Sequence, residues 1–122
     1  MYTFGTRSKE ALKTCDERII TVLNEAIKHY DFSVLCGYRT EEEQNKAYTS
    51  GASKLKYPKS NHNHFPSKAV DIVPYPIDWE NLQRFHELSE VIKKACDTVG
   101  ERDLHWGYDL WKWDMPHWEL RK

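Results

Sequence analysis

Apolar side chains recur at three- and four-residue steps over two long stretches of the chain and cluster in short runs elsewhere. Leu12, Cys15, Ile19, Val22, Leu23, Ala26, Ile27 and Tyr30 make one stripe at helical spacing. It predicts a helix capped by Ser8 and running to about His29. The run Phe32–Cys36, ended by Gly37, reads as a short buried strand. Thr40 followed by Glu43 is a capping box, and the helix it opens should stop at Gly51. Residues 52–68 lose all periodicity, carry Pro58, Asn61, Asn63 and Pro66, and read as a surface loop of the kind that collects functional groups. Ala69–Val73 is a second strand, halted by Pro74 and Pro76. A second helical stripe comprises Leu82, Phe85, Leu88 or Ser89, Ile92, Ala95, Cys96 and Val99. It predicts a helix with Asp78 as N-cap and Gly100 just past its end. Leu104–Trp106 and His117–Leu120 read as short strands around a Trp-rich turn. This order predicts an α+β fold with helices packed on a small antiparallel sheet, residues 1–122 forming a single domain.

Composition narrows the function classes. The 122 residues carry 18 Lys+Arg against 19 Asp+Glu, a net charge of -1, which removes bulk positive charge as a route to nucleic acid or anionic membranes. Five Trp, seven Tyr and four Phe supply the large buried areas that a small core needs. No apolar run is long enough to span a bilayer, so no membrane insertion is expected. Met1–Glu10 lacks the apolar segment of a secretory signal, and synthesis in the cytoplasm is expected. Cys15, Cys36 and Cys96 are scattered and odd in number, which predicts reduced thiols rather than a disulfide framework or a thiolate metal site.

Histidine is the informative residue. His62 and His64 lie in the Pro-containing loop, Asp71 follows in a strand, and Asp114-Met-Pro-His117 closes the chain. Two imidazoles and a carboxylate are a normal ligand set for catalytic zinc, with the fourth position left to water. A further carboxylate nearby can take the proton of that water and pass it to a leaving amine. A loop-borne His can fold back onto a strand-borne Asp, and on spacing alone both His62 and His64 remain candidates. His29, His86 and His105 read as structural or exposed.

These residues resemble the zinc D,D-peptidase and L-alanyl-D-glutamate endopeptidase group of metallopeptidases. Its first signature is Ser-x-His-x-x-Gly-x-Ala-x-Asp, and its second is an acidic residue, two residues, then His. Setting the signature Asp on Asp71 puts its Ala on Ala69 and its His on His64. The resemblance thus implies His64, Asp71 and His117 as zinc ligands and Asp114 as general base. Gly37-Tyr-Arg39 and Glu43-Gln44-x-x-x-Tyr48-x-x-Gly51 also resemble the segment that precedes the zinc site in this group. From it Arg39 takes the role of holding substrate or oxyanion, assisted by Gln44. Two departures stand out. His62 replaces the usual Ser and is expected to support the site, to contact substrate or to serve as an alternative ligand. Ser67 replaces the usual Gly, where a positive φ would be strained.

The resemblance further implies a Hedgehog/D,D-peptidase-like zinc fold and Zn2+ as cofactor. The implied activity is a zinc-dependent peptidoglycan peptidase of the phage endolysin type, cutting the L-alanyl-D-glutamate bond of the bacterial stem peptide. Such an enzyme is expected to be a monomer, made in the host cytoplasm and released to the cell wall through a holin. Two other readings share the motifs or the fold: a D-alanyl-D-alanine carboxypeptidase or dipeptidase, and a non-catalytic cell-wall-binding module. Lys54, Lys56 and Lys59 read first as a solvated loop, with attraction of an acidic wall polymer as the functional alternative. Of Trp106, Trp111, Trp113 and Trp118, at least two are expected in the core and others against sugar or peptide.

Overall fold

The computed structural model describes residues 2–121. Within them the chain runs α1 (Thr6–Leu12), α2 (Glu17–Ala26), β1 (Phe32–Cys36), α3 (Glu41–Thr49), β2 (Ala69–Pro74), α4 (Leu82–Val99), β3 (Leu104–Trp106), α5 (Gly107–Trp111) and β4 (His117–Leu120). A 3-10 turn, Asn61–Asn63, interrupts the long loop between α3 and β2. Among the described residues the four strands form one sheet in the order β1-β2-β4-β3, every neighbouring pair antiparallel. The α+β architecture expected from the hydrophobic pattern is the one observed.

Strand alternation divides the sheet chemically. Val70 and Ile72 on β2, with Trp118 and Leu120 on β4, join the core formed with Ile19, Val22, Leu23 and Ala26 of α2 and Phe85, Leu88 and Ile92 of α4. Asp71 on β2 and His117 and Glu119 on β4 alternate to the other side, and there the candidate site lies. Trp106 and Trp118 are cross-strand partners whose rings stack 6.0 Å apart. The Trp106 indole N–H donates to the Met115 carbonyl at 2.7 Å, tying down the segment that leads into β4. The core side of the sheet is thus a rigid support for the polar side.

The first predicted helix is two helices. Its apolar stripe continues unbroken through Leu12, Cys15 and Ile19, but the backbone breaks between them. The Asp16 N–H donates to the Ser67 carbonyl at 2.9 Å, and the Ser67 N–H donates to the Thr14 carbonyl at 2.8 Å, so groups that a continuous helix would satisfy internally are bonded to the long loop. Asp16 then caps α2 by accepting from the Arg18 N–H. Ser8 is not a cap but a buried residue inside α1, whose hydroxyl accepts the Val34 N–H at 2.9 Å. The capping box of Thr40 and Glu43 forms as expected, and Gly51 and Gly100 take the positive φ that ends their helices. Helix α4 opens at Leu82 rather than after Asp78, because the Asp78 carboxylate closes a turn onto the Glu80 N–H instead. Helix α5 was hidden in the Trp-rich turn.

Candidate metal centre

Two of the three donors are placed by sheet register. Asp71 and His117 are directly opposed on β2 and β4, and Ala69 and Glu119 are the next opposed pair on the same face. Ala69 and Glu119 are both buried there. The third donor comes from the loop. Ser60 accepts the His62 N–H at 3.1 Å, Asn63 accepts the Ser60 N–H at 3.1 Å, and the His62 carbonyl accepts the Arg39 N–H at 2.8 Å. This reciprocally capped turn aims His62 inward, where it is 2% exposed.

Hydrogen bonding then fixes which nitrogen of each ring is free. His62 Nδ1 lies 2.6 Å from the Gly37 carbonyl, which can only accept, so Nδ1 carries the hydrogen and Nε2 presents a lone pair. His117 Nε2 lies 2.8 Å from Glu119 Oε1, which leaves Nδ1 as its lone-pair atom. His62 Nε2, His117 Nδ1 and Asp71 Oδ1 are mutually 3.3 Å apart. Ligand bonds of about 2.0–2.1 Å at tetrahedral angles place neighbouring donors about 3.3 Å apart, so the triangle has the size of one face of a zinc tetrahedron. Three acceptors converging at that distance repel one another unless a cation or protons lie between them, and the residues present fit a metal ion.

The electrostatics point the same way. Burial works against an imidazolium at His62, yet the Asp71 charge and hydrogen bond carry its pKa up to about 10. Burial likewise opposes protonation of His117, and its hydrogen bonds to Asp71 and Glu119 outweigh it and raise the pKa. Burial of Asp71 favours its neutral form, but the two histidines hold its carboxyl well below the usual carboxylate range. The site demands positive charge. Burial also drives the Glu119 carboxyl upward, but its hydrogen bond to His117 brings it below its ordinary value.

The structure replaces His64 with His62 in this group. His64 follows the 3-10 turn in extended backbone, is exposed, and lies outside the His62–Asp71–His117 cluster. Counting seven residues back from Asp71 reaches His64, but the loop is two residues longer than that count allows. The Ser-x-His start of the signature is kept at Ser60-Asn61-His62, its Ala-x-Asp end at Ala69-Val70-Asp71. His62 is therefore a member of the donor triangle, the alternative-ligand place among those open to it. Gln44, expected at the substrate, is 0% exposed and does not line the cavity; it supports the site from beneath. Its side-chain carbonyl faces Arg39 Nη1 and Asn63 Nδ2, both at 3.4 Å. Its Nε2 donates to Ser53 Oγ at 2.9 Å and to the Leu55 carbonyl at 2.7 Å. Ser67 is not strained, since Lys112 is the one described non-glycine residue with positive φ. Its hydroxyl instead turns onto the Ala69 backbone, accepting from the N–H and donating to the carbonyl.

Arg39 Nη2 donates to Asp71 Oδ2 at 3.0 Å, on the carboxylate oxygen that faces away from the triangle. Arg39 and Asp114 line one cavity with the three donors, about 570 Å³ in volume and also lined by Trp111 and Trp113. The Asp114 carboxylate makes no hydrogen bond or ion pair with another described residue, and burial raises its pKa. A Cβ on Gly107 would lie 2.9 Å from the Asp114 carbonyl and 3.0 Å from the His117 carbonyl, so a glycine is needed where α5 meets this segment. Glu119 was missed by the sequence reading, although its i+2 spacing from His117 in a strand places both on one face. The Gly37 carbonyl had no sequence signal at all.

Three donors that could hold a metal ion line one cavity with Asp114, whose carboxylate has no partner among the described residues, an arrangement suited to metal-assisted hydrolysis. The sequence profile of the phage L-alanyl-D-glutamate peptidase family matches residues 1–120, and the chain belongs to that family. It is 30% identical over 113 residues to the L-alanyl-D-glutamate peptidase of Escherichia phage T5, covering 88% of this chain and 81% of that protein. The crystal structure of the Serratia marcescens L-Ala D-Glu endopeptidase ChiX superposes with a TM-score of 0.80 at 26% identity, over 98% of this chain and 90% of that one. The chain is a peptidase with this fold.

Proposed function

We propose that the protein is a zinc-dependent, endolysin-type peptidoglycan hydrolase that cuts the L-alanyl–D-glutamate bond of bacterial stem peptides. The observation that carries the metal reading is the 3.3 Å triangle of His62 Nε2, Asp71 Oδ1 and His117 Nδ1, each imidazole oriented through its other nitrogen. These three would hold the ion. Zinc in such an open site supplies Lewis-acid polarisation of a carbonyl and lowers the pKa of water to near neutrality. Asp114 accepts a proton from the attacking water and later gives it to the departing amine. Its raised pKa brings it nearer to the operating pH than an exposed carboxylate would be. Arg39 orients Asp71 through Nη2 and has donors left for the oxygen on which negative charge develops. Gln44 positions Arg39 and the loop around Ser53.

Residues 1–122 act as a single catalytic domain and as a monomer. No helix among the described residues is long and apolar enough to cross a membrane. The enzyme is made in the host cytoplasm and reaches the wall through a holin. Digestion of purified peptidoglycan followed by mass spectrometry tests the activity: new N-terminal D-glutamate is expected. Release of terminal D-alanine with the Ala–Glu bond intact would establish the carboxypeptidase reading instead. Asp114→Ala should abolish hydrolysis while zinc stays bound, and zinc binding with no hydrolysis by the wild type would leave only a wall-binding module.

A further inference from the structure

The cavity holds positive charge that the proposed chemistry does not use. Of its cationic lining residues, Arg39 is committed to Asp71, while Lys54 and Lys59 pair with no carboxylate among the described residues. Lys54 is the more organised of the two. Its ammonium sits 4.7 Å from the centre of the Trp113 ring, which also lines the cavity, and a cation–π contact restricts where it can go. Its two neighbours are anchored from below: the buried Gln44 amide bonds Ser53 Oγ and the Leu55 carbonyl, and the Ser53 N–H bonds the Ala47 carbonyl at 3.0 Å. Lys56, by contrast, turns away onto Tyr48 and does not line the cavity. An ammonium that no carboxylate neutralises, resting on an aromatic ring of a reaction site, can read anionic groups.

The chemistry of the bond supplies such a group. A glutamate acylated on its nitrogen has two carboxyls, and a linear peptide continues through only one. The residue following the scissile bond therefore keeps a free carboxyl within a few bonds of the leaving nitrogen. We propose that Lys54, held over Trp113, binds this free carboxylate and so selects an acidic residue on the leaving side of the scissile bond. The assignment rests on the L-alanyl–D-glutamate reading above. Lys54 touches the substrate without taking part in proton transfer, and its contribution falls mainly on KM.

The test compares two synthetic peptides that share an L-alanyl–D-glutamyl bond continued through the side-chain carboxyl. One carries the free α-carboxylate and the other its carboxamide. Wild type should prefer the carboxylate by about tenfold in kcat/KM, as expected for a charge-assisted contact in a partly enclosed site. Lys54→Met keeps the apolar stem against Trp113 and should lose most of that preference through KM, while cleaving the carboxamide within about twofold of wild type. Lys54→Arg should restore the preference, Lys59→Met should keep it, and added salt should shrink it in the wild type. Equal losses on both peptides in Lys54→Met, or an unchanged preference, would overturn the assignment while leaving the activity in place. Failure of the wild type to cleave either peptide would overturn the activity and the assignment together.

Discussion

Glu119 offers a graded test of how the metal centre is built. Its Oε1 lies 2.8 Å from His117 Nε2, its side chain is 8% exposed, and its Oε2 lies 3.2 Å from the half-exposed Arg121. The carboxylate fixes the imidazole so that Nδ1 faces Asp71 and His62, and its charge makes that nitrogen a better donor. Glu119→Gln keeps an acceptor but loses the charge, and should weaken zinc binding about tenfold, or about 1.4 kcal/mol. Glu119→Ala loses both, and should weaken it about a hundredfold, or about 2.7 kcal/mol. The alanine variant also leaves the buried His117 N–H without a partner, a further cost of about 1–3 kcal/mol that appears in melts of the metal-free protein. Affinity is measured by competition with a chelator at alkaline pH, because Glu119 also helps hold a proton on His117 and protons compete with the metal at lower pH. Zinc binding by Glu119→Ala as tight as wild type would refute ligation through His117 Nδ1 and leave Glu119 a mere partner of Arg121.

Other substitutions probe the remaining parts. Asp114→Asn should lower kcat by about 10²–10⁴ and remove an acid limb of kcat/KM that, in wild type, is shifted upward from that of an exposed aspartate by burial. Because the folded pKa of Asp114 is raised, its ionised form costs stability at neutral pH and costs nothing below about pH 4. Asp114→Asn should therefore raise the melting temperature at neutral pH and leave it unchanged in acid. Gly37→Ala should destabilise the protein by about 1–3 kcal/mol in denaturant melts. Its Cβ would lie 2.7 Å from the Ala11 carbonyl and 2.8 Å from Cys15 Sγ, and the shift would carry the Gly37 carbonyl off His62, weakening zinc binding too. Gln44→Ala should cost about 1–3 kcal/mol and lower kcat/KM about tenfold with one zinc per chain retained, since it frees Arg39 and the Ser53–Leu55 segment without touching a metal ligand.

What could be read from residue order was what local chemistry dictates. The capping box at Thr40, the strand expected over Ala69–Val73, which runs one residue further to Pro74, and the stripe of α4 are all local, and all are observed. Asp71, His117, Asp114 and Arg39 were legible because each sits in or beside a regular element at a characteristic spacing. The break at Thr14–Asp16 was not legible, because it is imposed by Ser67, more than fifty positions away, while the apolar stripe runs through it unchanged. The choice between His62 and His64 failed for a related reason. A signature counted from its strand end assumes a loop of fixed length, and the fold instead anchors this loop at Ser60 and Asn63, which aims His62 inward. Gln44 was assigned to the right neighbourhood but the wrong task, since a polar residue on a mostly exposed helix gives no local sign that it is fully buried.

Zinc content of His62→Ala and His64→Ala tests the centre most directly. Both variants are purified, loaded with zinc, desalted and measured for metal per chain beside the wild type, with hydrolysis of peptidoglycan followed in parallel. His62→Ala should lose bound zinc and activity together, while the exposed His64→Ala should keep one zinc per chain and activity within about threefold of wild type. Loss of zinc from His64→Ala with retention in His62→Ala would contradict the His62–Asp71–His117 centre.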